Sequence, residues 1–510
     1  MTNTPNLGAI LSPGTDPGRT AHRTALWDYA AGDPPRAWSA EELDGLANAL
    51  ARGLLKRGLK RGDSIAVLAA NRAEFVALYF GAMRAGIVVV PVNWKLAAET
   101  VALITQDAGA RLVVADSERA HLAPAGVPCI LFGSPEWDAL PDPGPFEAIV
   151  PEPDEPAQLL YTSGSTGRPK GVPLSHRGQH WMVQVVSKGD NSQHRLIVAA
   201  PMYHMNALFN LKFAFLNRAQ VILQPVFTAE SYVKAIIDHK ATWLTCVPTM
   251  MAMVANHLGG KPRPAEFDGV TRLFMGSSPY SKALVDRVRA LFPNARITNG
   301  YGTTEAGAAV YGPHPDGITT PDEALGYPIP EGETRLVAPD GSVVEGVGEG
   351  ILQMRNPATM RGYRHMPEKT AAALRDGGWY HSGDVVRRDE RGFHYFVGRD
   401  DDMFVCGGEN IWPAEVERLL ESHPSISQAV VVPIPDELKQ KLPVAFVTLR
   451  EGAPLTEQAV KQWTIERGPA YQHPRHVFFV PAIPLAGTNK IDRNGLTKQA
   501  AELAAARRSS

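Results

Sequence analysis

The sequence predicts an α/β protein: a large, multi-subdomain N-terminal body with mixed, largely parallel sheets flanked by helices, plus a small mobile α+β C-terminal lid. Three observations predict it. Short apolar runs rich in β-branched residues alternate with stretches of helical spacing, which is the pattern of βαβ units. That rhythm runs to about Gly398 without a repeat of fixed period, so it describes a body rather than an array. Beyond Gly398 a charged turn, Arg399-Asp400-Asp401-Asp402, interrupts it, and the text that follows fits a smaller unit. The expected organisation is a body over 1–398, a hinge over 399–402 and a lid over 403–510.

Ser39 followed three residues later by Glu42 is a capping-box signature, and Leu43, Leu46, Ala47 and Leu50 recur at helical spacing behind it. A helix starts there. Gly62 to Leu68 then reads as a turn and a buried strand, Arg72 to Gly86 as a helix, and Ile87 to Val92 and Ala110 to Asp116 as further buried strands. The Pro- and acid-rich segment Pro141 to Pro156 is a connector. Strands resume at Leu196 to Ala200, Val221 to Leu223, Thr242 to Val247 and Leu273 to Met275. In the lid, Ala414 to Ser422 has a helical pattern, and Ile426 to Val432 and Val444 to Leu449 read as strands.

At 510 residues, with 44% hydrophobic and 20% charged residues, the chain is long for one core and ordinary for a globular protein. A formal charge of -2 supplies no basic field for a polyanion, so nucleic acid is not an expected partner. Cys129, Cys246 and Cys406 have neither disulfide-framework nor zinc spacing. The N-terminus lacks the basic start and apolar core of a signal peptide, and no stretch offers the roughly 20 apolar residues of a membrane span. The expected location is the cytoplasm, without stable membrane insertion.

The stretch around which the chain is organised is Tyr161-Thr162-Ser163-Gly164-Ser165-Thr166-Gly167-Arg168-Pro169-Lys170-Gly171. Its glycines admit backbone N–H groups close to an anion, its hydroxyls donate, and Lys170 brings a mobile charge, which together suit phosphate. It is no Walker A loop, because Lys170 follows Pro169 and Val172-Pro173-Leu174 is extended chain rather than a helix start. A solvated turn is the bland alternative. Further on, Asn299-Gly300-Tyr301-Gly302-Thr303-Thr304-Glu305 offers an aromatic face for adenine, hydroxyls for phosphate and a hard oxygen donor for Mg²⁺, or else a tight turn with a surface glutamate. Tyr380-His381-Ser382-Gly383-Asp384 ends in a carboxylate whose two oxygens suit a vicinal diol, or in an Asx-turn aspartate.

These motifs, with Gly398-Arg399-Asp400 and Pro484-Leu485-Ala486-Gly487-Thr488-Asn489-Lys490, follow the order found in acyl- and aryl-CoA synthetases. Those adenylate-forming enzymes include luciferases and peptide-synthetase adenylation domains, and the chain resembles them over nearly its whole length. The resemblance assigns ATP contacts to Thr162, Ser163, Gly164, Ser165, Thr166, Gly167 and Lys170, and further ones to Ser277, Ser278, Asn299, Tyr301, Gly302, Thr303 and Thr304. Asp384 takes the ribose hydroxyls, Arg399 the ribose and phosphate, and Glu305 the Mg²⁺. Lys490 is the catalytic lysine that bridges the attacking carboxylate and the α-phosphate, aided by Thr166, Lys170 and Glu305. Asp402 matches the hinge position, and Gly407, Gly408 and Glu409 lie in the loop that lines the CoA passage. Asn489 replaces the usual glycine in the loop of the catalytic lysine, which should survive because asparagine tolerates the left-handed conformation. Lys439-Gln440-Lys441-Leu442 stands where many CoA ligases have Trp-Gly-Glu, so the CoA passage departs from the family pattern.

By the same resemblance His204 gates the carboxylate end of an acyl pocket lined from Asn206 and Ala207, from the segment Gly276-Ser277-Ser278-Pro279, which also borders the ATP, and from Gly302 and Ala308. Ala207 stands where glycine is common and would narrow that side. Asn206 and Asn210, four apart on a predicted helix, share a face; they either select a polar substrate or satisfy each other in the core. The expected activity is ligation of a carboxylic acid to CoA with ATP, by way of acyl-AMP and pyrophosphate, and the small-molecule partners are the acid, ATP and CoA. A homodimer is left open. An adenylation enzyme serving a carrier protein is one alternative, and a non-catalytic nucleotide- or CoA-binding sensor is another, which the presence of Lys490 and Glu305 disfavours.

Overall fold

The computed structural model describes residues 5–12, 23–162, 168–259, 261–278, 280, 282–406, 408–450, 453–485 and 491–508. Two largely parallel sheets form the heart of the body. The first runs Cys129–Leu131, Ala110–Ala115, Ser64–Leu68, Val88–Pro91, Pro156–Thr162, Lys170–Ser175, and only its last pair is antiparallel. The second runs Arg296–Gly300, Arg272–Gly276, Trp243–Cys246, Arg195–Val198, Gln220–Leu223, Thr24–Asp28, Arg36–Ser39, again with one antiparallel pair at the edge. Central strands such as Ser64–Leu68 are buried on both faces, which is why they read as unbroken apolar runs.

The capping box is present: the Ser39 hydroxyl accepts from Glu42 N at 3.0 Å while the Glu42 carboxylate accepts from Ser39 N at 2.7 Å, opening the helix Ala40–Lys56. This helix packs on Ala73–Arg84, for which Arg72 serves as N-cap. Arg84 is fully buried, and its charge is met by the Asp44 carboxylate at 2.6 Å, the Asn48 side-chain Oδ1 at 2.5 Å and the Gly8 backbone carbonyl at 2.9 Å.

The parallel rhythm ends at Gly300. A third, antiparallel sheet follows, of Glu333–Val337, Gly348–Arg355, Trp379–Arg388, Leu374–Arg375 and His394–Arg399. Its strands mix buried and partly exposed positions and carry glycine, polar and charged residues, so they lack the long apolar runs that mark the first two sheets.

The C-terminal small domain is an α+β unit: a five-stranded sheet with the helices Pro413–Glu421, Glu457–Arg467 and Arg493–Arg508. One face of the sheet buries Phe404, Val431 and Val447 beneath Val416 and Val460, and the other buries Val430, Phe446 and Phe478 against Leu496. Its central strands, Ile426–Asp436 and Gln440–Leu449, are longer than their apolar text suggests and pair out to Asp436 and Gln440. The extension is polar because the hairpin tip is exposed, with Leu438 at 94%. No helix among the described residues is long and apolar enough to cross a membrane.

Candidate active site

The antiparallel edge of the first sheet sets Tyr161 opposite Gly171 and Thr162 opposite Lys170, so both arms of the phosphate-type loop start side by side. Ser163, Gly164, Ser165, Thr166 and Gly167 themselves lie outside the described residues. At the threshold, the Thr162 hydroxyl oxygen is buried with no hydrogen-bond partner among the described residues. Lys170 Nζ lies 3.3 Å from the Tyr363 hydroxyl and 4.6 Å from the centre of its ring. Tyr363 in turn donates to Glu305 Oε1 at 2.9 Å. Burial, reinforced by the neighbouring Glu305 charge, pushes the Tyr363 phenol well up, so it remains a donor. The hairpin is tied to the same segment through Arg364 N to Gly171 O at 2.8 Å.

Glu305 is buried on a turn that leaves the strand Arg296–Gly300. Thr303 and Gly307 exchange backbone bonds at 3.1 and 2.8 Å, Thr303 Oγ1 accepts from Ala306 N at 3.0 Å, and Glu305 O accepts from Met360 N at 2.7 Å. The approach to this turn needs glycine: a Cβ on Gly276 would stand 2.2 Å from Gly300 O, and one on Gly300 1.9 Å from the Phe274 ring. A Cβ on Gly302 would meet Ala308 Cα at 2.5 Å.

From Asn299 and Gly300 the chain continues to Tyr301, whose hydroxyl donates to Asp384 Oδ2. The other Asp384 oxygen accepts from Arg399 Nη1 at 3.1 Å, and Arg399 Nε donates to Asp401 at 2.9 Å. The two carboxylates, Glu305 and Asp384, share one neighbourhood. The buried phenol of Tyr380 feels Glu305 and Tyr363 as well as Asp384 and Arg399, and burial first of all pushes it well up.

Beyond the carboxyl ends of the second sheet lie Ser277, Ser278 and the helix Met205–Leu216, which His204 precedes as N-cap. Asn206 Nδ2 stands 3.5 Å from Ser277 Oγ, and Asn210 Nδ2 donates to both Asn206 O at 2.8 Å and Asn206 Oδ1 at 2.9 Å. Ala207 is fully buried in the main core, and Ala308 N points at the Met182 sulfur 3.1 Å away. Asp402 sits in the turn after the last body strand, its N–H on Arg399 O at 3.2 Å. Gly408, at φ +90°, and Glu409 are exposed, whereas Gly407, Asn489 and Lys490 lie outside the described residues.

Sequence reasoning missed Tyr363 and gave Tyr380 no role. Nothing marks Tyr363 in the text, since Arg361-Gly362-Tyr363-Arg364 has no periodicity and its role comes from contacts 58 and 193 residues away. Among the described residues no three His, Cys, Asp or Glu side chains gather as a metal cage. A single buried carboxylate beside a phosphate-type loop does fit Mg²⁺, which favours substrate phosphates, water and one or two carboxylates.

The family model described as AMP-binding enzyme matches residues 15–364, and that of the AMP-binding enzyme C-terminal domain matches residues 415–490. A feruloyl-CoA synthase from Amycolatopsis sp is 33% identical over 447 residues, covering 87% of this chain and 90% of the relative. A fatty acid–[acyl-carrier-protein] ligase, ScoC of Streptomyces coeruleorubidus, is 31% identical and covers 90% and 91%. The crystal structure of ATP-bound MatB from Rhodopseudomonas palustris superimposes with a TM-score of 0.88 at 26% identity, covering 98% of this chain and 100% of that one.

Proposed function

We propose, from the premise that this chain belongs to the AMP-binding enzyme family and is an ATP-dependent, AMP-forming acid–CoA ligase, that its site residues act in two steps. In the first, a carboxylate oxygen of the acid attacks the α-phosphorus of ATP; the bond from that phosphorus to the bridging oxygen breaks, and pyrophosphate leaves. The Tyr161 to Gly171 loop and Lys170 hold the phosphates, and Asp384 with Arg399 holds the ribose. Glu305 would hold Mg²⁺, which would supply charge neutralisation on the phosphates. Tyr363 fixes the Glu305 carboxylate and keeps Lys170 near it, so both charges are oriented before substrate arrives. Lys490 bridges the reacting groups. In the second step the small domain turns about Asp402, Lys490 withdraws, and the CoA sulfur attacks the acyl carbon and expels AMP. The observation that carries this assignment is the chain of contacts from Lys170, on the second arm of the phosphate-type loop, through the Tyr363 hydroxyl to the buried Glu305 carboxylate.

The test is pyrophosphate release across aryl, hydroxy-aryl, short-chain and medium-chain acids, with and without CoA, for the wild type and Lys490→Ala. Acid-dependent release that needs CoA for sustained turnover and is lost in Lys490→Ala is expected; release independent of any acid would sink the proposal. The likeness to ScoC favours one second reading, transfer of the acyl group to a carrier protein. Turnover sustained by a phosphopantetheinylated carrier protein but not by CoA would select it. We further assign the chain to a reducing cytoplasm, which its free Cys129, Cys246 and Cys406 suit.

A further inference from the structure

We infer that Asn206 and Ser277 select acids carrying a second, uncharged oxygen acceptor such as a hydroxyl, methoxy or keto group, and that Asn210 positions Asn206 for this; the inference rests on the ligase reading above. It starts from a backbone carbonyl, whose polarity is fixed. Asn210 is 2% exposed, and the Asn210 side-chain atom 2.8 Å from Asn206 O must be its Nδ2, because an oxygen there would oppose an oxygen. The same Nδ2 lies 2.9 Å from the Asn206 side chain, so the Asn206 atom facing it must be Oδ1. Asn206 Nδ2 is thereby forced to the other side, toward Ser277. Two amides that could each be flipped in isolation are locked in one orientation.

The outward amide is only weakly used by the protein. Its contact to Ser277 Oγ is 3.5 Å, at the limit of a hydrogen bond, and Asn206 is partly exposed. Ser277 is exposed and sits at φ +70°, a left-handed conformation uncommon for a non-glycine residue and concentrated at functional sites. Its backbone is pinned there by Ser277 N to Gly300 O at 3.2 Å, beside the Tyr301 turn. One N–H and one hydroxyl thus stand together just past the carboxyl end of the parallel strand Arg272–Gly276, and ligands of such folds bind beyond those strand ends. No lysine or arginine among the described residues is bonded to Asn206, Asn210 or Ser277, which favours a neutral oxygen over a second carboxylate. A ligand lacking that oxygen leaves both donors desolvated and unpaired, which is the stronger source of discrimination.

Matched acids test it: aryl and straight-chain acids bearing hydroxyl against methyl, methoxy against ethyl, and keto against methylene, compared by kcat/KM for pyrophosphate release. In the wild type the oxygenated member of at least one pair is preferred by about tenfold or more. Asn206→Leu and Asn206→Asp both reduce that preference at least several-fold, the first by deleting the donor and the second by replacing it with an acceptor. Asn210→Leu lowers kcat/KM for the oxygenated acid more than for its apolar twin, whereas a merely structural loss lowers both alike. Acids that turn over with no oxygen preference, or a preference untouched in both Asn206 variants, overturn this inference and leave the ligase reading standing. Absence of acid-dependent turnover throughout removes both.

Discussion

Lys212 lies fully buried on the same helix as Asn206 and Asn210, its Nζ 2.5 Å from Gln179 Oε1. Burial pushes this ammonium down from 10.5 to about 7, so the folded protein favours the neutral amine while the unfolded chain keeps the proton up to about pH 10.5. The penalty on folding is therefore absent above that pH, grows as pH falls, and is complete below about pH 7. Lys212→Met should stabilise the protein by about 1–4 kcal/mol at pH 6, since Gln179 Oε1 keeps its bond from Gln158 at 3.2 Å. Thermal melts at pH 6 and pH 9 check it: the gap between variant and wild type must narrow at the higher pH, and an equal gap at both refutes a titrating lysine. At the same scale, Glu305→Gln keeps the shape and the Tyr363 bond but loses the charge, so adenylation should fall by about 10²-fold or more with little change in melting temperature. Stopped pyrophosphate assays on folded variant decide that. Glu305 and Asp384 could be singled out as candidates in the sequence because each stands in a compact motif. The sequence hid Lys212 and Tyr363, because a residue's burial and its distant partners leave no local pattern.

At the scale of elements, local signals were the most legible. Ser39 and Glu42 specify a helix start within four residues of text, and the reciprocal bonds are present. Ser39→Ala should therefore cost about 1 kcal/mol, read as a shifted denaturant midpoint with unchanged slope; a change below a few tenths would mean that packing alone fixes that helix end. Strands buried on both faces were equally legible, since Ser64–Leu68 and Val88–Pro91 have almost no exposed position to interrupt the apolar run. The antiparallel sheet over Glu333–Arg399 was not, because glycine, polar and charged residues break its strands into apolar runs of two or three and its partners are set by hairpin connections. That sheet nevertheless delivers Asp384 and Arg399 to the site. Sequence gave the residues through their motif and left unsaid the element that carries them.

At the scale of the whole molecule, the small domain has cores of its own, and two of its contacts with the body bear on how it is joined. Arg418 donates to Phe396 O at 3.2 Å, and Trp412 packs so closely on Gly398 that a Cβ there would lie 2.9 Å from the indole. Both contacts fall within the strand that ends at Arg399, next to the turn that Asp402 closes with its bond to Arg399 O. A rotation of the small domain would leave each core intact and concentrate its φ/ψ change in that turn. Asp402→Pro tests this directly, because proline fixes φ and removes the donating N–H. If the two half-reactions need two placements of the small domain about this residue, the variant should retain one half-reaction and lose the other. Single-turnover acyl-AMP formation and the subsequent transfer to CoA, measured separately, give the two numbers. Loss of transfer by about 10²-fold with adenylation within severalfold of wild type places the turn between the steps. Equal loss of both would mean that the turn only supports the fold, and no loss of either would move the pivot elsewhere in the chain.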